Sequence, residues 1–172
     1  MKAGTGAQAV EITLKVRTSS HITDHPFLAA SLYLPSAGPV HAVFVCLPGG
    51  GYTRRYYDSH FEGYADYSFA DFMTARGFAV LAMDHPGMGD SYRPVDVTAL
   101  TRDAVISMHQ DGLSIFRARL QAGEWGEAII NRPLIGVGHS MGGMILTQWQ
   151  GRLEPFHAIA LLGWTNTGLA FD

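Results

Sequence analysis

The sequence predicts an α/β protein with an open, mostly parallel sheet and helices on both faces. Three observations carry this. Apolar runs at 42–47, 78–83, 133–137 and 157–163 lack polar alternation, as strands covered on both faces do. Segments with helical spacing of apolar residues separate them. Glycine-rich stretches follow the first three runs: Pro48-Gly49-Gly50-Gly51-Tyr52, Asp84-His85-Pro86-Gly87-Met88-Gly89-Asp90-Ser91 and Gly138-His139-Ser140-Met141-Gly142-Gly143. With 172 residues, 47% of them hydrophobic and 16% charged, the chain suffices for one domain, 1–172, with a substantial core.

In chain order, Val10 to Arg17 alternates apolar with polar side chains and reads as a half-buried strand. Thr18 to Pro26 is a polar turn, and Leu28 to Leu34 is a second strand, stopped by Pro35-Ser36-Ala37-Gly38-Pro39. The two make an antiparallel opening hairpin. His21 and His25 are ordinary loop residues. After the run at 42–47, three glycines bare backbone N–H groups toward a cleft, where they could hold a developing negative charge or form a simple flexible turn. The stretch has neither the Gly-Lys-Ser/Thr ending of a phosphate loop nor dinucleotide-binding glycine spacing. Arg54 to His60 reads as a solvated loop, with a substrate-cleft wall as the alternative.

Phe61 to Arg76 reads as a helix with Tyr64, Tyr67, Phe69, Phe72 and Met73 on a core-facing stripe, ended by Gly77. Asp84, at the end of a strand, is expected to hold the following tight turns by accepting backbone N–H bonds, with a catalytic carboxylate as the alternative. Val97 to Gly123 is mostly helical, with Gly112 a candidate interruption. A further helix covers 144–150, and the run at 157–163 is read as another buried strand.

Chemistry concentrates at Gly138-His139-Ser140-Met141-Gly142, a G-x-S-x-G pattern between an apolar run and a helix. A serine at the apex of such a turn needs a strained backbone, and its neighbours must be nearly free of side chains. Other chemistries find little support. A net charge of −3 speaks against nucleic acid or an anionic membrane as partner. No run approaches the ~18 apolar residues of a membrane span. The N-terminal residues lack a signal-peptide core. Cys46 is the single cysteine, which excludes an intrachain disulfide and suits a reducing, cytoplasmic setting. The eight histidines are scattered without ligand spacing, so no metal or cofactor is expected.

On its three glycine-rich stretches the chain resembles the N-terminal portion of the α/β-hydrolase superfamily, serine esterases and lipases among them. The likeness runs from about residue 10 to 165, up to about the sixth strand of eight. The first stretch resembles the oxyanion loop, with Pro48 where histidine is usual. The second resembles the turn after the fourth strand, with Pro86 in place of arginine. The third resembles the nucleophile elbow. The resemblance implies that Ser140 attacks an acyl carbonyl and that the N–H groups of Met141, Gly50 and Gly51 bind the oxyanion, with Gly138, His139 and Gly142 shaping the elbow.

It also implies that the acid and then the histidine of the triad follow the serine in sequence. After Ser140 come Glu154 and His157, both poorly placed, and Asp172, a candidate acid. No later histidine can act as base. The expectation is therefore a small-molecule acyl substrate, with the base supplied by a second chain or fragment that completes the fold. An acyltransferase or thioesterase on the same fold, and an inactive binding or interaction module, are the alternatives.

Overall fold

The structure, a computed structural model, describes residues 8–17, 25–64, 66–165 and 167. Asp172 and His21 lie outside them. Six strands form one sheet: β1 (Val10–Lys15), β2 (Phe27–Tyr33), β3 (Val43–Leu47), β4 (Ala79–Met83), β5 (Leu134–His139) and β6 (Ala158–Leu162). Their spatial order is β1-β2-β4-β3-β5-β6. The β1–β2 and β2–β4 pairs are antiparallel, and β4–β3, β3–β5 and β5–β6 are parallel. The helices are α1 (Phe69–Thr74), α2 (Arg102–Gln121) and α3 (Met141–Leu153).

Alternate strand residues feed two cores. Leu14, Leu28, Leu32, Val45, Leu47, Leu81 and Met83 pack with Met108, Phe116, Leu146 and Trp149 of α2 and α3. On the opposite face Tyr33, Cys46, Val80, Ala82 and Val137 pack against Tyr57 and Ala70, with Phe69 and Met73 of α1. Helices thus cover both faces, as the sequence predicts. Cys46 is a fully buried free thiol whose ionisation burial suppresses.

Three sequence expectations are corrected. The helix predicted over 61–76 is only α1, at 69–74. Asp66 takes a left-handed φ of 68°, and Ser68 starts the helix late by accepting the Asp71 N–H at 3.0 Å. Tyr64, Tyr67 and Phe72 are therefore exposed, not core. Gly112 does not interrupt α2: a Cβ there would stand 3.0 Å from Leu28 Cδ1, so glycine brings the helix close onto the sheet. The strand at 157–163 is not buried. β6 is the sheet's edge, and Leu161 and Leu162 are 38% and 42% exposed.

The loops at the carboxyl end of the parallel strands are tied by charge. In the stretch 54–60 Arg55, Tyr56 and His60 are exposed, as a solvated loop requires, but Arg54 is buried. Its Nη1 donates to the buried carboxylate of Asp84 and to Asp90 (2.9 Å), its Nη2 to Glu11 (2.6 Å) and its Nε to Ser31 Oγ (2.9 Å). Burial alone would weaken its hold on the proton, but the carboxylates of Glu11, Asp90 and Asp84 reverse this and keep it charged. Asp84 also accepts the backbone N–H groups of Arg54 (2.6 Å) and Asp90 (2.9 Å). The turn-holding role read from the sequence is thus present, with a guanidinium added.

Next to Asp84, the His85 and His109 rings are buried and meet at 3.0 Å between His85 Nδ1 and His109 Nε2. Burial lowers the basicity of both.

Two predictions follow from these buried groups. Removing one partner of a buried ion pair leaves the other charge uncompensated. Asp84→Asn is expected to lower stability by about 3–5 kcal/mol in urea unfolding; a loss within 1 kcal/mol would show that Arg54 is not held by this carboxylate. The unfolded imidazoles titrate near 6.5, and the folded pair takes protons only at lower pH. Below that value the unfolded chain binds more protons, so stability is full above it and falls as pH drops. Tm should fall by several degrees from about pH 8 to about pH 5.5, and the fall should shrink in His109→Phe.

Candidate active site

The Ser140 turn is built from strand, apex and helix. β5 ends at His139, Ser140 adopts φ 49° and ψ −113°, and α3 starts at Met141. Its two glycines are required by contact. A Cβ on Gly138 would lie 2.6 Å from the Gly142 carbonyl oxygen. One on Gly142 would lie 2.2 Å from that of Leu47 and 2.6 Å from that of Pro48. The Ser140 N–H donates to the Leu162 carbonyl at 2.8 Å, and the Ser140 carbonyl accepts from Met144 N–H at 3.1 Å, closing the first turn of α3. The Met141 N–H therefore stands at a helix N-terminus, where amides lack intrahelical partners and the helix dipole favours negative charge.

The glycine loop comes to this turn. A Cβ on Gly50 would lie 3.6 Å from Met141 Sδ, which brings two of the sequence-derived oxyanion residues side by side. Gly51, with φ 82°, turns the chain so that the Tyr52 N–H reaches back to the Gly49 carbonyl at 3.1 Å. The buried Tyr57 hydroxyl donates to the Leu47 carbonyl at 2.8 Å, and burial keeps it protonated. His85 Nε2 lies 2.8 Å from the Pro48 carbonyl oxygen. Pro48 lacks the side chain usual at its position, and a histidine from another loop holds the start of the glycine loop instead.

His139 serves the loop rather than the serine. A Cβ on Gly49 would meet its Nδ1 at 2.7 Å. Its ring stacks on Tyr56, with centroids 5.0 Å apart and planes 11° apart, and meets Tyr52 edge-on at 6.2 Å. No periodicity or motif in the sequence signals this aromatic stack.

The remaining acid and base candidates are dispersed. His157 Nδ1 accepts the Leu134 N–H at 3.1 Å, at the far end of β5 from Ser140. Glu154 is an exposed left-handed residue (φ 48°) ending α3. His85 and His109 face each other, His60 Nε2 pairs with Asp58 at 2.8 Å, and His41 packs against Phe78. None of these rings makes a hydrogen bond with Ser140 among the described residues. Asp58, His60 and Asp71 are near enough together to share a cation, but Asp58 is already bonded to Ser68 Oγ (2.6 Å) and His60, an arrangement that ties the chain before α1. Among the described residues no helix is long and apolar enough to cross a membrane.

Comparison with known proteins places this geometry. A family model described as "Alpha/beta hydrolase family" matches residues 44–171. No curated protein sequence matches the chain. An epoxide hydrolase from Vigna radiata superposes with a TM-score of 0.60 at 14% identity, over 91% of this chain and 38% of that one. A thioesterase domain from the curacin biosynthetic pathway gives 0.61 at 21% identity, over 90% and 46%. An alpha/beta hydrolase from Novosphingobium aromaticivorans gives 0.56 at 20% identity, over 90% and 44%. The chain spans less than half the length of each of these structures. These likenesses are of fold, and with the sequence match over most of its length the chain belongs to the alpha/beta hydrolase family.

Proposed function

We propose that this chain supplies the nucleophile and oxyanion site of a serine hydrolase acting on a carboxylic ester or related acyl bond. The observation that carries the reading is the strained Ser140, at φ 49° between β5 and α3, beside the Gly50–Met141 contact. In the reaction a base takes the Ser140 proton as Oγ attacks the acyl carbon. The carbonyl oxygen becomes an oxyanion that the N–H groups of Met141, Gly50 and Gly51 bind. The leaving group departs with a proton, and water then hydrolyses the serine ester.

The residue type separates two chemistries found among similar folds. An epoxide opened by a serine hydroxyl would leave a stable ether, which water does not cleave. An acyl group leaves an ester, which turns over. Ser140 therefore fits acyl transfer, and the thioesterase likeness makes a thioester the second reading.

The base comes from polypeptide that adds to the sheet beyond β6, as a second chain or a further segment. The exposed leucines of that edge and the share of its relatives that the chain spans support this. The buried, free Cys46 accords with work in a reducing cytoplasm. The inactive-module reading remains the rival, and its test is covalent.

Incubation with a fluorophosphonate and mass mapping should give one adduct, on Ser140, slow in residues 1–172 alone and fast when the completing polypeptide is present. Ser140→Ala should abolish the adduct and lower acyl hydrolysis by the complete protein ~1,000-fold or more. An esterase rate unchanged by that substitution, or a complete protein that never labels, would sink the assignment. Gly142→Ala should push the glycine loop from the elbow, slow labelling at least tenfold and destabilise by about 1–3 kcal/mol. Labelling at the parent rate would show that this contact does not set the site.

A further inference from the structure

We propose that His85 is a positioning residue for the oxyanion loop and that His109 fixes the ring orientation in which it does so. The inference rests on the reading of the glycine loop as an oxyanion site.

The Pro48 carbonyl closes β3 and opens that loop. Its oxygen lies 2.8 Å from His85 Nε2, and the bare Cα of Gly142 packs against it from the elbow. Holding this oxygen orients the whole Pro48–Gly49 peptide, from which the Gly50 and Gly51 amides follow.

The tautomers follow from donor and acceptor chemistry. A carbonyl only accepts, so His85 Nε2 carries the proton. Burial keeps His85 neutral, so its Nδ1 is a bare acceptor. The ring facing that atom at 3.0 Å must then donate from His109 Nε2. His109 is neutral too, so its Nδ1 is left without a proton. That atom is buried and has no hydrogen-bond partner among the described residues.

His109 is fully buried and stacked on Trp149 at 5.7 Å, with planes 25° apart. A phenyl ring would stack there without an unsatisfied nitrogen of its own, but it would leave His85 Nδ1 as a buried acceptor without a donor, which is costly. The imidazole supplies what phenyl cannot, the Nε2–H that locks His85. Trp149 lies in the helix that begins after Ser140, and its Nε1–H donates to Gln110 at 2.7 Å, beside His109 in α2. The oxyanion loop, through His85, and the elbow helix, through Trp149, thus both meet His109 of α2.

The test compares His109→Phe, His109→Gln, His85→Gln and the parent chain by three readouts. Imidazole ¹⁵N spectra should show His85 and His109 each protonated at Nε2. In His109→Phe the His85 Nδ1 resonance should shift as that nitrogen loses its hydrogen bond, and the Gly50 and Gly51 amide resonances should move, while thermal stability stays near the parent's. Fluorophosphonate labelling of Ser140 should slow about tenfold, short of the ~100-fold or more that outright loss of an oxyanion donor costs. His109→Gln and His85→Gln, which keep a donor at the key atom, should recover most of the rate and the amide positions.

Parent-like labelling and unmoved Gly50 and Gly51 amides in His109→Phe would overturn the proposal. A complete protein that never labels would instead overturn the serine-hydrolase reading, and the His85 Nδ1 and amide shifts would still decide the positioning role.

Discussion

The arrangement depends on one buried charge. A guanidinium taken out of water is tolerated only when carboxylates surround it and its donors are satisfied. Arg54 meets that condition with Asp84 beneath it and Glu11 and Asp90 at its rim. Those partners come from β1, the end of β4 and the turn after β4. One side chain therefore pulls together the outer hairpin and two loops at the sheet's carboxyl edge. The glycine loop runs directly into Arg54, so its path is set by where this charge can be neutralised. The substituted turn after β4, with Pro86 where its family usually has arginine, is held by this arginine from another loop.

The elbow is the second constraint and works in the opposite sense. A non-glycine residue at φ 49° and ψ −113° lies outside the main allowed regions, costs roughly 1–3 kcal/mol and persists only where its surroundings over-determine it. Here they do. The Ser140 amide is bonded to β6, its carbonyl to the first turn of α3, and the flanking glycines admit backbone on both sides. The strain sits at the apex between β5 and α3, and the packed sheet sustains it.

Much of this was legible in the residues. Unbroken apolar runs mark central strands because covered strands need no polar face. The elbow announced itself because its steric demand leaves few residue choices. What the sequence concealed was tertiary. The exposure of β6 depends on its neighbour in the sheet, not on its composition. The short α1 turned on a cap at Ser68 and a left-handed Asp66, against a convincing aromatic stripe. Gly112 looked like a breaker and is a contact. Arg54, His85 and His109 gave no periodic or motif signal, since each acts through a partner 24 or more residues away. Among the described residues no acid or base bonds to Ser140, and Asp172, the acid read from the sequence, lies outside them.

Cys46 has a consequence of its own. Its thiol lies in the central strand β3, on the α1 face, without exposure and with its ionisation suppressed. A reagent in solution can meet it only when the middle of the sheet parts. Modification of this lone thiol therefore counts whole-molecule openings one by one, and ignores the fraying of β1, β6 and the loops. The chain carries an internal clock for its own unfolding, sited between the strand that leads to the glycine loop and the helix that covers it.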